Sequence, residues 1–336
     1  MPTHPIGTLS RRRLLGTGLA TAAAAGLLAA CGGGPTPATP AGPATEGPWR
    51  WTDGVGQQIE LPSRPTRIAA YGDAAVALIN FGIRPTQIFH FVDPAQDPSF
   101  EGVDIGGIEI VGTTYGQLNI EAMAAAGIEL VITLAYAQND PDNLYYFNDT
   151  AQLDQVRQLA PVIAIKQTGS APEVITATEQ LAVALGADPD SELITTARAD
   201  FDAAGRELTE AAKSGLSVTT LYAEDSGLYF AKAPDEPSLA YYADLGVNFV
   251  EIGGDQYYWH QVSWENADTY PSDVVLYSMR DSYPPEKLMQ QPAFARLPAA
   301  AAGQLHPWKL VAMDYASQAR YMREFAGWLS SDRSVT

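Results

Sequence analysis

The side chains best suited to ligand binding are concentrated in residues 255–267, which read DQYYWHQVSWENA. Tyr257, Tyr258 and Trp259 stand together here, and Trp264 follows. Aromatic rings offer large contact areas at low entropic cost, and their hydroxyl and indole N–H groups can donate to ligand oxygens. Such a stretch can fill a core, cover a partner or stack on a ligand, and its place in the fold decides among these.

This stretch follows a predicted buried strand, Val247–Ile252, and a glycine pair. In doubly wound α/β lobes, ligands bind beyond the carboxyl ends of the strands. We therefore expect Trp259, and with it Tyr257 and Tyr258, in a loop that lines a cleft. Trp264 is expected to pack instead, because it directly precedes a predicted helix.

Further candidates for ligand binding lie at or after other predicted strand ends. They are Tyr71, Tyr115, Tyr136, Tyr222 and Arg280. The segment after Tyr136 adds Tyr145 and Tyr146, which could instead pack at the rim. Arg280 could pair with anionic ligand oxygens, or it could form a salt bridge with Asp281 or another of the many acids.

Neither a direct metal site nor an enzyme is expected. Beyond the N-terminal tract the histidines are His90, His260 and His306, without the helical or hairpin spacing of metal ligands. The sequence also lacks a Gly-x-Ser-x-Gly nucleophile elbow, a His-Glu-x-x-His pair and a Walker loop. A lipid-anchored secreted hydrolase is the remote competing class, and substrate turnover would reveal it.

The elements that would position these side chains recur as strand–helix–strand units. Gly82, Gly127 and Gly246 each stop a predicted helix, and Asp73 and Asn119 are predicted to cap two of them. Glycine adopts the left-handed conformation at a helix end cheaply, and continuous apolar strands imply burial on both faces. The repeated unit predicts an α/β fold with parallel sheets.

Between these units lies a longer helical pattern, Asp188–Lys213. Its apolar stripe repeats at alternating steps of three and four, through Leu193, Ala197, Phe201, Ala204, Leu208 and Ala211. At ~1.5 Å per residue this pattern predicts a rod of roughly 37 Å. Such a rod would hold two lobes at a nearly fixed spacing and leave a cleft between them.

The N-terminus carries the most specific local pattern. Residues 10–15 read SRRRLL, and an uncharged Ala/Leu/Gly run continues to Ala30. This tract resembles a twin-arginine export signal peptide. Residues 28–31 read LAAC and resemble a bacterial lipobox, and Cys31, the only cysteine, precedes a flexible tether that ends at Pro48. We expect lipidation of Cys31 and an exported lipoprotein anchored to the outer face of the cell membrane.

The chain is strongly acidic, with 20 Lys and Arg against 39 Asp and Glu and a formal net charge of −19. Such a surface repels nucleic acid phosphates and anionic lipid, so neither is an expected partner. It suits a body that carries a neutral or cationic cargo, although acidity also serves simply as a solubilising surface.

Several segments of the globular part stand in a characteristic order. They are Arg67–Tyr71, Leu78–Pro85, Val111–Ile132, Val262–Asn266, Pro271–Leu276, Gly303–Trp308 and Ala316–Leu329. Together they resemble the periplasmic-binding proteins of iron–siderophore and cobalamin ABC importers, over about residues 49–330. The resemblance implies a class III solute-binding fold, in which two Rossmann-like lobes are joined by one long rigid interlobe helix.

The expected organisation is an export signal peptide over residues 1–30, an anchored tether over 31–48, an N-terminal lobe over 49–187, the interlobe helix over 188–214 and a C-terminal lobe over 215–336. The resemblance implies a monomer without a cofactor that captures a ferric siderophore, hydroxamate type favoured, in the cleft. A binder of cobalamin or haem on the same fold is the alternative. Delivery would be to an ABC permease dimer with a cytoplasmic ATPase.

The resemblance also implies roles for single residues. Trp259 falls where ferrichrome-binding relatives carry a ligand-contacting tryptophan, and Tyr136 and Tyr315 fall where hydroxamate binders carry tyrosines. The ligand-contacting arginine of the ferrichrome-type N-terminal lobe has no counterpart in the loop 113–115, which leaves the siderophore class open.

Glu121 and Glu265 are expected on the surface, each in the first turn of a predicted helix. In the family, glutamates at these positions dock against arginines of the permease dimer. Acids placed in this way give orientation and encounter rate more than affinity. The alternative is two helix N-terminal acids without a partner.

Overall fold

The computed structural model describes residues 47–136, 140–280 and 282–336. Cys31, the lipobox and the expected export signal lie outside these residues. Among the described helices, none is both long and apolar enough to cross a membrane.

The first half of the described chain forms a five-stranded sheet in which all neighbours are parallel. An antiparallel hairpin of β1 (Trp49–Thr52) and β2 (Gln58–Leu61) precedes it. The strands of the sheet are β3 (Ile68–Tyr71), β4 (Gln87–Phe89), β5 (Glu109–Gly112), β6 (Leu130–Ala135) and β7 (Val162–Lys166). Their order across the sheet is β5-β4-β3-β6-β7. The central strands β3 and β6 are buried at every residue, as expected for a sheet covered on both faces.

Four helices accompany this sheet. They are α1 (Gly72–Asn80), α2 (Ile120–Ala125), α3 (Thr150–Arg157) and α4 (Ala171–Ala184). Asn119 caps α2 as predicted, because its side chain accepts from the Ala122 N–H at 3.0 Å. The predicted cap of α1 is wrong: Tyr71 occupies that position without a side-chain bond, and Asp73 lies inside the first turn. The Asp73 carboxylate is therefore available for another partner.

A long helix, α5 (Glu192–Ala212), links the two halves; it begins at Glu192 rather than at Asp188, and Ser191 caps it. Its buried side chains are those of Ile194, Phe201, Ala204, Leu208 and Ala212. The predicted stripe is correct from Phe201 to Leu208, but Leu193 is 52% exposed. Alternating steps of three and four average about 3.5 residues, whereas an α-helix has about 3.6 residues per turn. The predicted stripe and the buried face therefore diverge along a long helix.

The second half forms a six-stranded mixed sheet. Its strands are β8 (Ser217–Glu224), β9 (Gly227–Ala231), β10 (Asn248–Phe249), β11 (Trp259–Val262), β12 (Val274–Ser278) and β13 (Leu305–Trp308). The main path is β11-β9-β8-β12-β13, and β10 also pairs with β8. The prediction of parallel sheets is wrong for β9 and β11, which are antiparallel to their neighbours. Trp259 consequently begins a strand rather than lying in a loop.

Four helices belong to this half. They are α6 (Pro237–Asp244), α7 (Pro285–Leu288), α8 (Pro298–Ala302) and α9 (Tyr315–Ser331). Short 3-10 turns occur at Pro94–Gln96, Pro98–Phe100, Ala233–Asp235, Trp264–Thr269 and Phe294–Arg296. Helix α9 packs along α5. There, two nitrogens of Arg323 donate hydrogen bonds to the Asp200 carboxylate at 2.7 and 2.8 Å. The predicted fold class is confirmed: two α/β lobes joined by one long helix.

Two polar contacts tie the lobes to each other outside the aromatic clusters. Asn80 at the end of α1 donates to the Asp314 carboxylate, the cap of α9, at 2.9 Å. Lys309, which follows β13, pairs with Glu101 of the N-terminal lobe at 3.1 Å and with Glu324 of α9 at 2.8 Å. The cap residue is fully buried, and burial raises the pKa of Asp314 to about 6.

A buried carboxyl also caps α6. Glu236 is 5% exposed, and its side chain accepts from the Leu239 N–H at 2.7 Å. Burial raises the pKa of Glu236 to about 7, although hydrogen bonds from the backbone of Leu239 and Ser238 oppose the change. The ionised form is therefore disfavoured by the fold.

Phe201 gives the first test of the interlobe helix. Its ring is 4% exposed and stacks on Tyr241 at 5.4 Å. Phe201→Ala removes a large buried ring, so we expect it to lower the free energy of unfolding by about 3–4 kcal/mol in urea titrations. Leu193→Ala, on the exposed face of the same helix, should cost less than about 1 kcal/mol. Equal losses in the two variants would contradict the packing described.

The cap of α6 gives a pH-dependent prediction. The folded pKa of Glu236 lies above its ordinary value of 4.5, so the folded state loses stability as pH rises from about 4.5 to 7. Glu236→Gln keeps an oxygen acceptor for the cap and removes the ionisation. We expect equal stability at pH 4.5 and a variant more stable by roughly 3 kcal/mol at pH 8. Glu121→Gln, at an exposed acid, is the control, and a pH-independent difference for Glu236→Gln would contradict the assignment.

Candidate ligand-binding cleft

The carboxyl ends of the N-terminal sheet present ring side chains toward one edge. Tyr71 ends β3, His90 follows β4 and Tyr115 lies in the loop after β5. Tyr136 directly follows β6. Because the strands are parallel, these side chains meet at the same edge of the sheet, where ligands of α/β lobes collect.

Tyr145 is the centre of this group, which we call the tyrosine cluster: Tyr71, Tyr115, Tyr136, Tyr145 and Tyr146. The Tyr145 ring lies 5.1 Å from Tyr71, 5.5 Å from Tyr115 and 5.4 Å from Tyr136, each time edge to face. Burial raises the pKa of Tyr145 to about 12. The phenol is therefore neutral at physiological pH and can act as a hydrogen-bond donor.

Tyr146 is the fixed part of the cluster. It is fully buried at a positive φ of 81°, and its hydroxyl donates to the carbonyls of Thr114 and Gln117 at 2.8 and 3.0 Å. Gly112 makes this possible, since a Cβ there would lie 2.4 Å from the Tyr146 hydroxyl. Tyr146 thus fastens the loop that carries Tyr115.

The C-terminal lobe contributes a second group, the tryptophan cluster, built around Trp259. The half-buried Trp259 ring lies 4.7 Å from Tyr258, 6.0 Å from Trp308 and 6.2 Å from Tyr222. Its backbone pairs with Ala231 in the antiparallel ladder between β11 and β9. The ring is therefore presented by a strand, which holds it more firmly than a loop would.

The backbone conformation of Tyr258 directs its ring toward Trp259. Its φ is +69°, which is uncommon for a residue with a side chain. The Asp235 carboxylate accepts from the Tyr258 N–H at 3.0 Å, and the Lys232 N–H donates to the Tyr258 carbonyl at 2.8 Å. Both peptide groups of the strained residue are thereby fixed.

Tyr136 and Tyr258 are half-buried phenols, one in each lobe. Burial raises the pKa of Tyr258 well above its usual value, and the nearby Glu236 and Tyr136 raise it further. Burial likewise raises the pKa of Tyr136, and Tyr145 and Asp73 add to the effect. The effect of Tyr136 on the pKa of Tyr258 indicates that these phenols lie within electrostatic range of each other.

Arg280 follows β12 and reaches across the boundary into the N-terminal lobe. Its two terminal nitrogens contact the Asp73 carboxylate at 2.9 and 2.6 Å, and its Nε lies 3.4 Å from the Asp97 carboxylate. The guanidinium also lies 5.4 Å from the centre of the Phe91 ring. Of the two sequence-based alternatives, the structure contains the salt bridge, although with Asp73 and Asp97; Asp281 is outside the described residues.

The charges of this network are strongly fixed. Burial alone would lower the pKa of Arg280, but the charges of Asp73 and Asp97 outweigh it and keep that pKa well above its usual value. Burial alone would raise the pKa of Asp97, but the hydrogen bond with His90 at 2.7 Å and the charge of Arg280 hold it well below its usual range. The guanidinium and the Asp97 carboxylate therefore stay ionised.

Tyr315 lies apart from the two clusters, whereas the Tyr257 ring lies 6.1 Å from Tyr258 at the exposed side of the tryptophan cluster. Tyr315, the first residue of α9, donates to Glu179 at 2.8 Å and lies beneath Arg198 at 5.4 Å. Tyr257 is 42% exposed, and its hydroxyl donates to the Asp235 carbonyl at 3.0 Å. Contacts of this kind tie Tyr315 to α4 and α5 rather than to Trp259 or Tyr136.

Trp264 and His260 make packing contacts. The Trp264 ring stacks on Tyr283 at 5.6 Å, and its indole N–H donates to the Glu224 carbonyl at 3.2 Å. The His260 Nδ1 lies 3.0 Å from the Gly253 carbonyl. Within residues 47–136, 140–280 and 282–336, no group of three or more His, Cys, Asp or Glu side chains is placed to hold a metal ion.

Glu121 and Glu265 are both exposed. Glu121 lies in the first turn of α2, and Glu265 lies in the first turn of the 3-10 turn Trp264–Thr269. Each carboxylate is therefore accessible to a partner from solution.

The sequence analysis missed several residues of the cleft. They are Asp73, His90, Asp97, Trp308 and Glu236. For Tyr145, the sequence left open whether it binds a ligand or packs at the rim. A signal existed for His90 and Trp308, because each stands at or just after the end of a parallel strand. Asp97 gave none, since it lies in an irregular segment and its role depends on residues far away in sequence.

Comparison with known proteins places this architecture. The family model described as periplasmic binding protein matches residues 109–310, more than half of the chain. A comparison with curated proteins found no match. DesE, described as a ferric-siderophore receptor protein from Streptomyces coelicolor, is 27% identical with a TM-score of 0.79, and the match covers 86% of this chain and 100% of DesE.

Two more distant structures share the fold. FeuA of Bacillus subtilis, a triscatecholate siderophore binding protein, is 13% identical with a TM-score of 0.63, over 82% of this chain and 96% of its own. FhuD2 of Staphylococcus aureus, solved with bound ferrioxamine B, is 14% identical with a TM-score of 0.56, over 79% and 98%. These likenesses concern the fold, whereas the family model matches the sequence itself. The chain therefore belongs to the periplasmic binding protein family.

Proposed function

We propose that this protein captures a ferric siderophore, hydroxamate type favoured, in the cleft between its lobes and passes it to an ABC permease. The observation that supports the proposal is that each lobe carries a cluster of aromatic side chains, with Tyr71 and Tyr136 at strand ends of the N-terminal sheet and Trp308 at the end of β13 beside Trp259. The similarity to DesE, described as a ferric-siderophore receptor, supports the same reading. The division into an N-terminal lobe (49–187), an interlobe helix (188–214) and a C-terminal lobe (215–336) belongs to this proposal, and so does action as a monomer.

The two clusters suit a chelate whose iron is already saturated by its own oxygens. Trp259 offers a flat apolar face, and the neutral phenols of Tyr136 and Tyr145 can donate to chelate oxygens. No protein group is then required on the iron. The chemistry is binding and release, with the ligand recovered unchanged.

A small cavity between side chains of both lobes, among them Asp73, Gln167 and Met313, measures about 20 Å³. Pockets for small-molecule ligands usually measure roughly 300–1,000 Å³, so this cavity is not the proposed chelate site. The proposed site is defined by the tyrosine and tryptophan clusters instead.

Anchoring of the protein through a lipid on Cys31 belongs to the same proposal. The support is the LAAC pattern at residues 28–31 and the Gly-, Pro- and Ala-rich composition of the tract behind it. A tether of that composition would let the binding lobes reach a permease in the same membrane. Export by the twin-arginine route rests on the paired arginines before the apolar run.

Trp259→Ala tests the proposed binding mode. We would titrate the protein by calorimetry with ferric hydroxamates, ferric catecholates, ferric citrate, haem and cobalamin. A ferric hydroxamate should bind with the highest affinity, and the loss of one stacking ring should weaken binding roughly tenfold or more. Trp51→Ala, a half-buried tryptophan of the N-terminal hairpin, should leave the affinity unchanged.

The other possible results would change the proposed ligand, the proposed class of protein or the role of Trp259. Tightest binding of cobalamin or haem would replace the siderophore with the alternative ligand. A ligand that returns chemically altered would point to the hydrolase class. Unchanged affinity in Trp259→Ala would return that ring to a packing role.

Glu121 and Glu265 are the proposed contacts to the permease. Both are exposed acids in first turns, one in each lobe, and an opposite charge on the permease would orient the two proteins. Their positions leave the cleft residues untouched, so transport and binding can be separated experimentally.

The double variant Glu121→Lys with Glu265→Lys should lower uptake of a radioiron-labelled ferric chelate by roughly tenfold, about 1.4 kcal/mol, in cells that depend on this protein. Chelate affinity of the purified variant should stay unchanged. Glu192→Lys, at an exposed acid in the first turn of α5, is the control. Normal uptake by the double variant would remove the docking role.

A further inference from the structure

The positive charge of Arg280 is fully compensated by the protein. Asp73 takes both terminal nitrogens, and Asp97 lies beside the Nε. The side chains of Arg280, Asp73 and Asp97 are 15%, 11% and 1% exposed, so water weakens these interactions little. With His90 neutral the group sums to one negative charge, and with His90 protonated it sums to zero.

The next cation along this edge is compensated in the same way. Lys309, which follows β13, contacts both Glu101 and Glu324, and its side chain is 15% exposed. Arg280 and Lys309 are thus each matched by two carboxylates: both of those at Arg280 belong to the N-terminal lobe, and one of those at Lys309 does. Lys232, near Tyr258, donates to the carbonyls of Gly254 and Gln256.

A further carboxyl group faces the same region. Glu236 caps α6 beneath Tyr258, and it is 5% exposed. Its environment includes Arg280, whose charge favours the ionised form. When ionised, Glu236 adds a negative charge to a region that already has no excess of positive charge.

We propose that Asp73 and Asp97 make the cleft selective for ferric chelates that carry no net negative charge. This inference rests on the proposed function and concerns which chelate the same cleft accepts. A guanidinium without counter-ions would attract an anionic chelate, such as a ferric tris-catecholate. The two carboxylates remove that attraction and place negative charge where the chelate would lie.

The physical basis is discrimination by repulsion. Selectivity can come from an unfavourable charge placed against the wrong ligand as well as from contacts to the right one. At the effective dielectric of a partly buried site, one unit charge at a distance of several ångströms changes affinity by about tenfold or more. The aromatic clusters would then account for the affinity for the chelate, and the carboxylates would account for the discrimination against anionic chelates.

A series of chelates with one iron-binding scaffold tests this charge selectivity on the unmodified protein. The probes are a linear ferric trihydroxamate with a free ammonium group, its N-acetylated form and its N-succinylated form. These carry one positive charge, no charge and one negative charge around the same iron centre. We expect the cationic and neutral forms to bind at least roughly tenfold tighter than the anionic form at low salt, with a smaller ratio at high salt.

Asp73→Asn tests the assigned residue. The amide retains an oxygen for Arg280 but removes one negative charge, so binding of the succinylated chelate should become several-fold tighter and the ratio should fall. Asp200→Asn is the matched control, because Asp200 is also paired with an arginine but lies on the surface between α5 and α9. It should keep the ratio of the unmodified protein.

The outcomes separate the two proposals. If no chelate of any charge binds, the proposed function is wrong. If all three bind equally well, the proposed function stands and the charge selectivity is wrong. An unchanged ratio in a folded Asp73→Asn protein would overturn the role of Asp73, and the series on the unmodified protein gives a result even if that variant fails to fold.

Discussion

A guanidinium buried between two lobes must be neutralised where it lies, and much of the cleft is arranged around that requirement. Arg280 leaves the end of β12, and the first turn of α1 and the segment before Phe100 supply its counter-charges. Unpaired, such a charge would be costly, and removal of one partner from a buried pair usually destabilises strongly. The placement of Asp73 and Asp97 therefore fixes how closely the carboxyl edges of the two sheets approach.

Around this charged centre, the aromatic side chains are held by backbone geometry. Tyr146 secures the loop of Tyr115 through the space left by Gly112, and Tyr258 is held at a positive φ by hydrogen bonds on both sides. The positive φ angles of Tyr146 and Tyr258 are strained backbone conformations, and the surrounding hydrogen bonds compensate for that strain. They hold the rings of Tyr146 and Tyr258 in fixed orientations within their clusters.

The fold class, the interlobe helix and several strand-end candidates could be predicted because they follow from local patterns. Periodicity identified α5, and parallel strands made Tyr71 and Tyr136 converge. The antiparallel β11 could not be predicted, because so short a strand is stabilised by its pairing with β9 rather than by its own sequence. Asp73 was taken as a cap because local rules favour that role, whereas a partner more than 200 residues later determines it.

The contact between Arg280 and Asp73 has a kinetic consequence. It joins the lobes by two bonds of 2.9 and 2.6 Å, so any separation of the lobes at this point must break a largely buried ion pair. For a ligand that enters only through such a separation, binding waits for a spontaneous opening of the protein. The observed association rate should rise with ligand concentration only up to a ceiling, and that ceiling reports the opening frequency of the lobes rather than the encounter with the ligand.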